Sequence, residues 1–149
     1  MVGEQTRINT RSDLITRERQ FELADAPAAG PGRVVWHDLT VPNAVEVRDF
    51  YKAVVGWTSE DVSMGDYADF NMETGNPGET VAGICHARGE NASHPAVWMV
   101  YLSVDDIEVS TAMVVELGGK LLTPIRGEPG SGAFCVIQDP AGAIVALYG

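Results

Sequence analysis

Apolar and polar positions change their period along this chain in a regular order. Val34–Val41 reads VVWHDLTV, a β-branched and apolar run that predicts a buried strand. The period then lengthens. Val47, Phe50, Tyr51 and Val54 share one stripe of a predicted helix over Ala44–Val55. Asn43 with Glu46 predicts a capping box at its start, and Gly56 predicts a left-handed stop at its end. Three short strands are expected at 57–63, 66–72 and 80–86. Gly65 and the run Gly75-Asn76-Pro77-Gly78 supply the turns between them.

The second half follows the same order. VWMVYLSV (97–104) predicts a strand, and Asp105 is expected to cap a helix over 106–117. Ile107, Met113, Val114 and Leu117 are its apolar positions, and Gly118-Gly119 stops it. Strands are predicted at 120–125, 132–138 and 143–148, with a tight turn at Asp139-Pro140-Ala141-Gly142. Leu39 to Asn43 aligns with Leu102 to Asp106 at an offset of 63 residues. The spacing from Val41 to Gly56 equals that from Val104 to Gly119. Each half therefore reads strand, helix, three strands. One such unit leaves a sheet face wet, and two copies set against each other cover it. The expected fold class is α+β: two tandem βαβββ modules, about 33–88 and 96–149, forming a cleft between curved mixed sheets.

Residues 1–31 differ from this body. They are polar and lead into an Ala, Pro and Gly-rich linker. They read as an amino-terminal extension outside a domain over 32–149. Positions 13–23 have weak helical character, and a disordered arm and a docking arm are both open readings.

Charge narrows the partners. The chain has 149 residues and a formal net charge of −11. Arg7, Arg11, Arg17 and Arg19 lie in the extension, so the rest carries 6 basic against 16 acidic side chains. A phosphate backbone would be repelled, and no nucleic-acid partner is expected. No apolar run has the ~20 residues that span a bilayer, so no membrane partner is expected either. A cytoplasmic location is the expectation. Cys85 and Cys135 stand far apart in apolar runs and read as buried thiols.

Paired βαβββ units of this length resemble the vicinal-oxygen-chelate superfamily of glyoxalase I, bleomycin-resistance proteins and extradiol dioxygenases. The residues carrying the resemblance are Val41-Pro42-Asn43, Phe50-Tyr51 and Gly56-Trp57 in the first unit. Ser103 to Asp106, Gly118-Gly119 and Asp139 to Gly142 carry it in the second. Trp36-x-Asp38-Leu39 and Trp98-x-x-Tyr101 are similar to a glyoxalase-like branch. The resemblance implies a divalent metal in the cleft, held by the first and last strands of each unit, usually through His and Glu. Here those positions fall on Trp36, Met99, Ala146 and, within a residue or two, Gly83. None supplies an oxygen or imidazole ligand. No metal, no cofactor and no catalytic residue is therefore expected. His37 is one residue away from a ligand position, but strand alternation turns it toward the helix side with Leu39. His86 and His94 read as solvated loop residues.

By the same alternation, Trp36, Asp38 and Thr40 would face Met99, Tyr101 and Ser103, with Ile144, Ala146 and Tyr148 joining from the last strand. An aromatic, Met-containing cavity with one carboxylate suits an apolar or cationic small molecule. Asp38 either serves that ligand or hydrogen-bonds Tyr101 as a structural pair. Trp57 and Trp98 read as core or interface. Three functions stay open: metal-independent binding of a small molecule, as in sequestering or sensing proteins; a metal-dependent lyase or dioxygenase with displaced ligands; and a non-catalytic interaction protein with a filled cleft. A homodimer is compatible with each.

Overall fold

A computed structural model of the chain describes residues 30–75 and 78–149. The helical reading of 13–23 and most of the linker lie outside the described residues. The first unit comprises β1 (Val34–Val41), α1 (Ala44–Val55), β2 (Thr58–Ser63), β3 (Ala68–Glu73) and β4 (Thr80–His86). A short 3-10 turn, Gly89–Asn91, leads into the second unit. That unit comprises β5 (Trp98–Ser103), α2 (Ile107–Glu116), β6 (Lys120–Leu121), β7 (Phe134–Gln138) and β8 (Ile144–Tyr148).

The sheets of the two units are continuous. All eight strands form one sheet in the order β2-β3-β4-β1-β5-β8-β7-β6. Each unit pairs its first strand in parallel with its last, β1 with β4 and β5 with β8. The two first strands meet antiparallel at the seam. Register confirms the repeat at single-residue resolution. Asp38 lies opposite Gly83, and Tyr101 opposite Ala146, so both pairs recur at the same offset.

Strand alternation divides the core between two faces. On one face, Leu39, Val41, Phe70, Met72, Ala82 and Ile84 pack against Ala44, Val47 and Tyr51 of α1. Further along it, Cys135, Ile137 and Leu147 pack against Ile107 and Val114 of α2. Each large apolar side chain buried there contributes roughly 1.5–3 kcal/mol. The opposite face, called here the cleft face, gathers Trp36, Met99, Tyr101, Phe134, Val136 and Ala146. Among the described residues, both helices lie on the first face.

Local structure departs from expectation at several points, each with a physical cause. Asn43 precedes α1, but its side-chain amide donates to Glu46 Oε2 at 2.7 Å and its side-chain oxygen accepts no backbone N–H of the helix. The second helix is capped by Asp106, one residue later than expected, through its carboxylate and the Val109 N–H at 3.0 Å. Strand β3 begins at Ala68 because the Met64 N–H is used in a turn to the Tyr67 carbonyl. Strand β6 is only two residues long. Pro124 removes a donor from the predicted run, and Leu122 and Thr123 both turn their N–H to the Val136 carbonyl. Pairing resumes at Arg126, opposite Phe134. Arg126 also donates to Asn91 at 3.0 Å, fastening the connector to the second unit.

The two helix stops use glycine differently. Gly56 and Gly118 have φ of 80° and 90°, the left-handed region that a Cβ disfavours. Gly119 lacks room: an added Cβ would stand 2.8 Å from the Gln138 carbonyl oxygen and 2.8 Å from Val114 Cγ1.

Candidate functional site

The seam between the units builds the site. Trp36 pairs with Tyr101 across it, and Asp38 with Met99. Tyr101 in turn lies beside Ala146, and Ser103 beside Tyr148. All nine residues nominated from sequence thus share the cleft face. Trp36, Asp38, Thr40, Met99, Tyr101, Ser103 and Ala146 are buried, while Ile144 and Tyr148 keep partial exposure. Phe134 and Val136 of β7 join them. They were not nominated, although alternation in FCVIQ was the available signal.

One polar pair lies inside this apolar group. The Tyr101 hydroxyl donates to Asp38 Oδ2 at 3.1 Å, and both residues are 2% exposed. The partners occupy equivalent positions of the repeat, so the hydrogen bond spans the pseudo-twofold seam. A buried carboxylate needs such donors, since leaving it without them costs several kcal/mol. Ser103 has a different task. Its hydroxyl donates to the Gly30 carbonyl at 2.9 Å and accepts the Arg33 N–H at 3.0 Å. It clamps the chain as it enters β1. Burial raises the pKa of the Tyr148 phenol above its ordinary value, holding it protonated.

The ligand positions implied by the superfamily can now be tested against the structure. They are Trp36, Gly83, Met99 and Ala146, and the shared offset removes the earlier ambiguity at Gly83. The chemistry does not fit a divalent ion: an indole, a thioether, a methyl group and a hydrogen offer no hard donor. Space does not fit either. A Cβ built on Gly83 would lie 3.5 Å from the Trp36 ring and 3.3 Å from Asp38 Cβ. The indole covers the position from which a carboxylate would reach the ion. Among the described residues, no three His, Cys, Asp or Glu side chains converge elsewhere.

The histidines differ from expectation. His37 is exposed on the far face and does not pack beside α1. His86 ends β4, half-buried, and is not a loop residue. Asp69 of β3 accepts both its backbone N–H at 2.8 Å and its Nδ1 at 3.1 Å. Tyr67 and Phe70 flank the imidazole. Sequence reading missed this pair because the two residues are 17 positions apart and meet only through β3–β4 pairing. Trp57, Trp98 and Tyr51 form an aromatic group on the helix face, with Trp98 Nε1 donating to the Tyr51 hydroxyl at 3.0 Å. They are partly buried and pack against the helix-face core.

Comparison with known proteins agrees with the topology. The anthracycline biosynthesis protein DnrV of Streptomyces peucetius is 31% identical, over 79% of this chain and 47% of its own length. The putative glyoxylase CFP32 of Mycobacterium bovis is 32% identical, over 76% of this chain and 44% of its own. The chain thus spans about half the length of the curated relatives it matches. Among solved structures, methylmalonyl-CoA epimerase of Streptomyces coelicolor superposes with a TM-score of 0.51 at 12% identity, covering 80% of this chain and 97% of that one. The Mycobacterium tuberculosis epimerase gives 0.50 at 13% identity, with 83% and 92% covered. Those likenesses establish the fold, a vicinal-oxygen-chelate architecture. The family model described as a glyoxalase-like domain matches residues 33–147, and the chain belongs to that family.

Proposed function

We propose that the cleft face binds a flat, apolar or cationic small molecule without a metal ion. The observation that supports this reading is the exchange of all four superfamily ligand positions for Trp36, Gly83, Met99 and Ala146, around a buried Asp38–Tyr101 pair. A binding surface of aromatic rings and a thioether, with one carboxylate, favours a planar ligand with delocalised or positive charge. Tyr148 and Ile144, still partly exposed, form its rim. One relative is named for anthracycline biosynthesis. Flat polycyclic aromatic compounds of that kind are the first ligand class to try.

An anthracycline carrying its amino sugar and the corresponding neutral aglycone are suitable probes. Either probe should quench Trp36 emission on binding. Asp38→Asn should weaken the cationic probe about tenfold, the 1.4 kcal/mol of one charge-assisted contact, and leave the neutral one nearly unchanged. Zinc, nickel, cobalt and manganese should leave both affinity and Tm unmoved. Saturable binding that appears only with one of these ions would overturn the metal-free reading. No binding of either probe would remove this ligand class.

A second reading, a cleft filled by the protein's own groups, is favoured by the burial of seven of the nine nominated residues. The two readings diverge on what occupies that face.

A further inference from the structure

We infer that the cleft face of the first unit is the docking surface for the chain's own amino-terminal arm, residues 1–29. The inference rests on the fold and on the distribution of charge, and it holds whether or not the face also takes a ligand.

The first observation is burial. Asp38, Thr40, Asp69 and Cys85 are each less than a tenth exposed. Asp38 and Thr40 stand opposite Gly83 and Cys85 in the β1–β4 register, which places them on the cleft face. Among the described residues, both helices pack on the other face.

The second observation is where the arm joins the body. Gly30 accepts the Ser103 hydroxyl at 2.9 Å, and the Gly32 N–H donates to the Ser103 carbonyl at 2.7 Å. Ser103 belongs to the cleft face through its register with Tyr148. The arm is thus delivered to the edge of the surface it would cover. Reach is no obstacle. Three strand spacings separate β5 from β3, roughly 14 Å, while 29 residues span roughly 40 Å even as a helix.

The third observation is charge. On their cleft face the four strands of the first unit carry Glu60 and Glu73, the buried and hydrogen-bonded Asp38 and Asp69, and no Lys or Arg, while Asp61, opposite Phe70, lies on the helix face. Glu60 lies opposite Asn71, whose partner is Gly83, so it shares the cleft face. The arm places Arg7, Arg11, Arg17 and Arg19 within thirteen positions whose acids are Asp13 and Glu18, so this stretch carries +2, although Glu4, Glu22 and Asp25 bring residues 1–29 as a whole to −1. Leu14, Ile15 and Phe21 stand among or beside these arginines and offer apolar contacts. Arginines with apolar neighbours complement the carboxylates of that face.

The test uses the full chain. A nitroxide spin label is placed at residue 15 through Ile15→Cys, with Cys85 and Cys135 left in their buried sites. Docking predicts loss of the amide peaks of Gly83 and Asn71, with those of Val54 and Met113 on the helices retained. Arg17→Glu together with Arg19→Glu should bring the lost peaks back. Retention of the Gly83 and Asn71 peaks, or loss confined to the helices, overturns the inference. Equal loss in the charge-reversed chain overturns the electrostatic part. A mixture of spin-labelled unenriched chain and unlabelled isotope-enriched chain separates the two possible sources. Loss that appears undiminished in that mixture would assign the arm to a second copy and overturn docking within one chain.

Discussion

The two halves of this molecule share one topology and divide its chemistry. Both run strand, helix, three strands, in register at the same offset. Yet the strands of the first half carry five carboxylates and no Lys or Arg, while those of the second carry Lys120 and no acid. Duplication fixes where a side chain points, not what it is. At the seam the difference becomes a contact: the first half supplies the acceptor Asp38, and the second supplies the donor Tyr101. The exchange extends to the old ligand positions, where the first half has Trp36 over Gly83 and the second has Met99 with Ala146.

Restoring a carboxylate tests that asymmetry most severely. Gly83→Glu must displace the Trp36 ring and bury a second acid next to Asp38. Loss of at least about 3 kcal/mol is expected, the scale of an uncompensated buried charge. Ala146→Glu buries an acid as well, but beside Tyr101 and not beside another carboxylate, so its cost should be smaller. Urea unfolding of the two variants side by side measures both. An equal or reversed order would show that the halves are interchangeable after all.

The helix stops give a smaller contrast. Gly56→Ala and Gly118→Ala meet no atom within 4 Å and oppose only the left-handed backbone, at about 1–2 kcal/mol each. Gly119→Ala in the second unit drives a methyl group against the Gln138 and Val114 backbone, and about 2–3 kcal/mol is expected. Thermal unfolding should rank Gly119→Ala lowest. Tyr101→Phe comes next: it removes one donor from Asp38 without creating a cavity, and about 1–2 kcal/mol should be lost.

How much of this was legible beforehand follows from which forces act locally. The bounds of strand β1 and helix α1 were readable to the residue, because VVWHDLTV states its own period and Gly56 its own φ, but of the predicted stripe only Val47 and Tyr51 pack on the sheet while Phe50 and Val54 are exposed. The Asp38–Tyr101 pair was readable as one of two options, because alternation and the repeat offset together place both side chains on one face. The failures share a cause. Pro124 interrupts β6 through a missing donor, which a count of apolar residues does not register. His86 finds Asp69 only after β3 and β4 have paired, and His37 is left exposed because no side chain of α1 reaches it. Side-chain partners set by strand register are invisible until the register exists. Burial of the nominated residues was likewise beyond reach, since alternation assigns a face but not what covers it.

Alkali should lower the stability of the fold gradually. Cys135 is fully buried in the second unit, and burial pushes its thiol up to about 11 from 9.0. An unfolded chain would lose that proton near 9, while the folded one keeps it until near 11. Between those values the unfolded state binds fewer protons, so rising pH draws the chain toward unfolding. Stability should be flat with respect to this group below pH 8 or so and should fall from 9 to 11. The slope is at most about 1.4 kcal/mol per pH unit for one such group. Tyr148, raised in the same way, adds a fall of the same sign and also lies in the second unit. Cys135→Ala should therefore flatten part of the decline without abolishing it, and Cys135→Ala with Tyr148→Phe should flatten more. Urea unfolding from pH 7.5 to 10.5 follows the effect. An alkaline slope that neither substitution changes would place the sensitivity elsewhere.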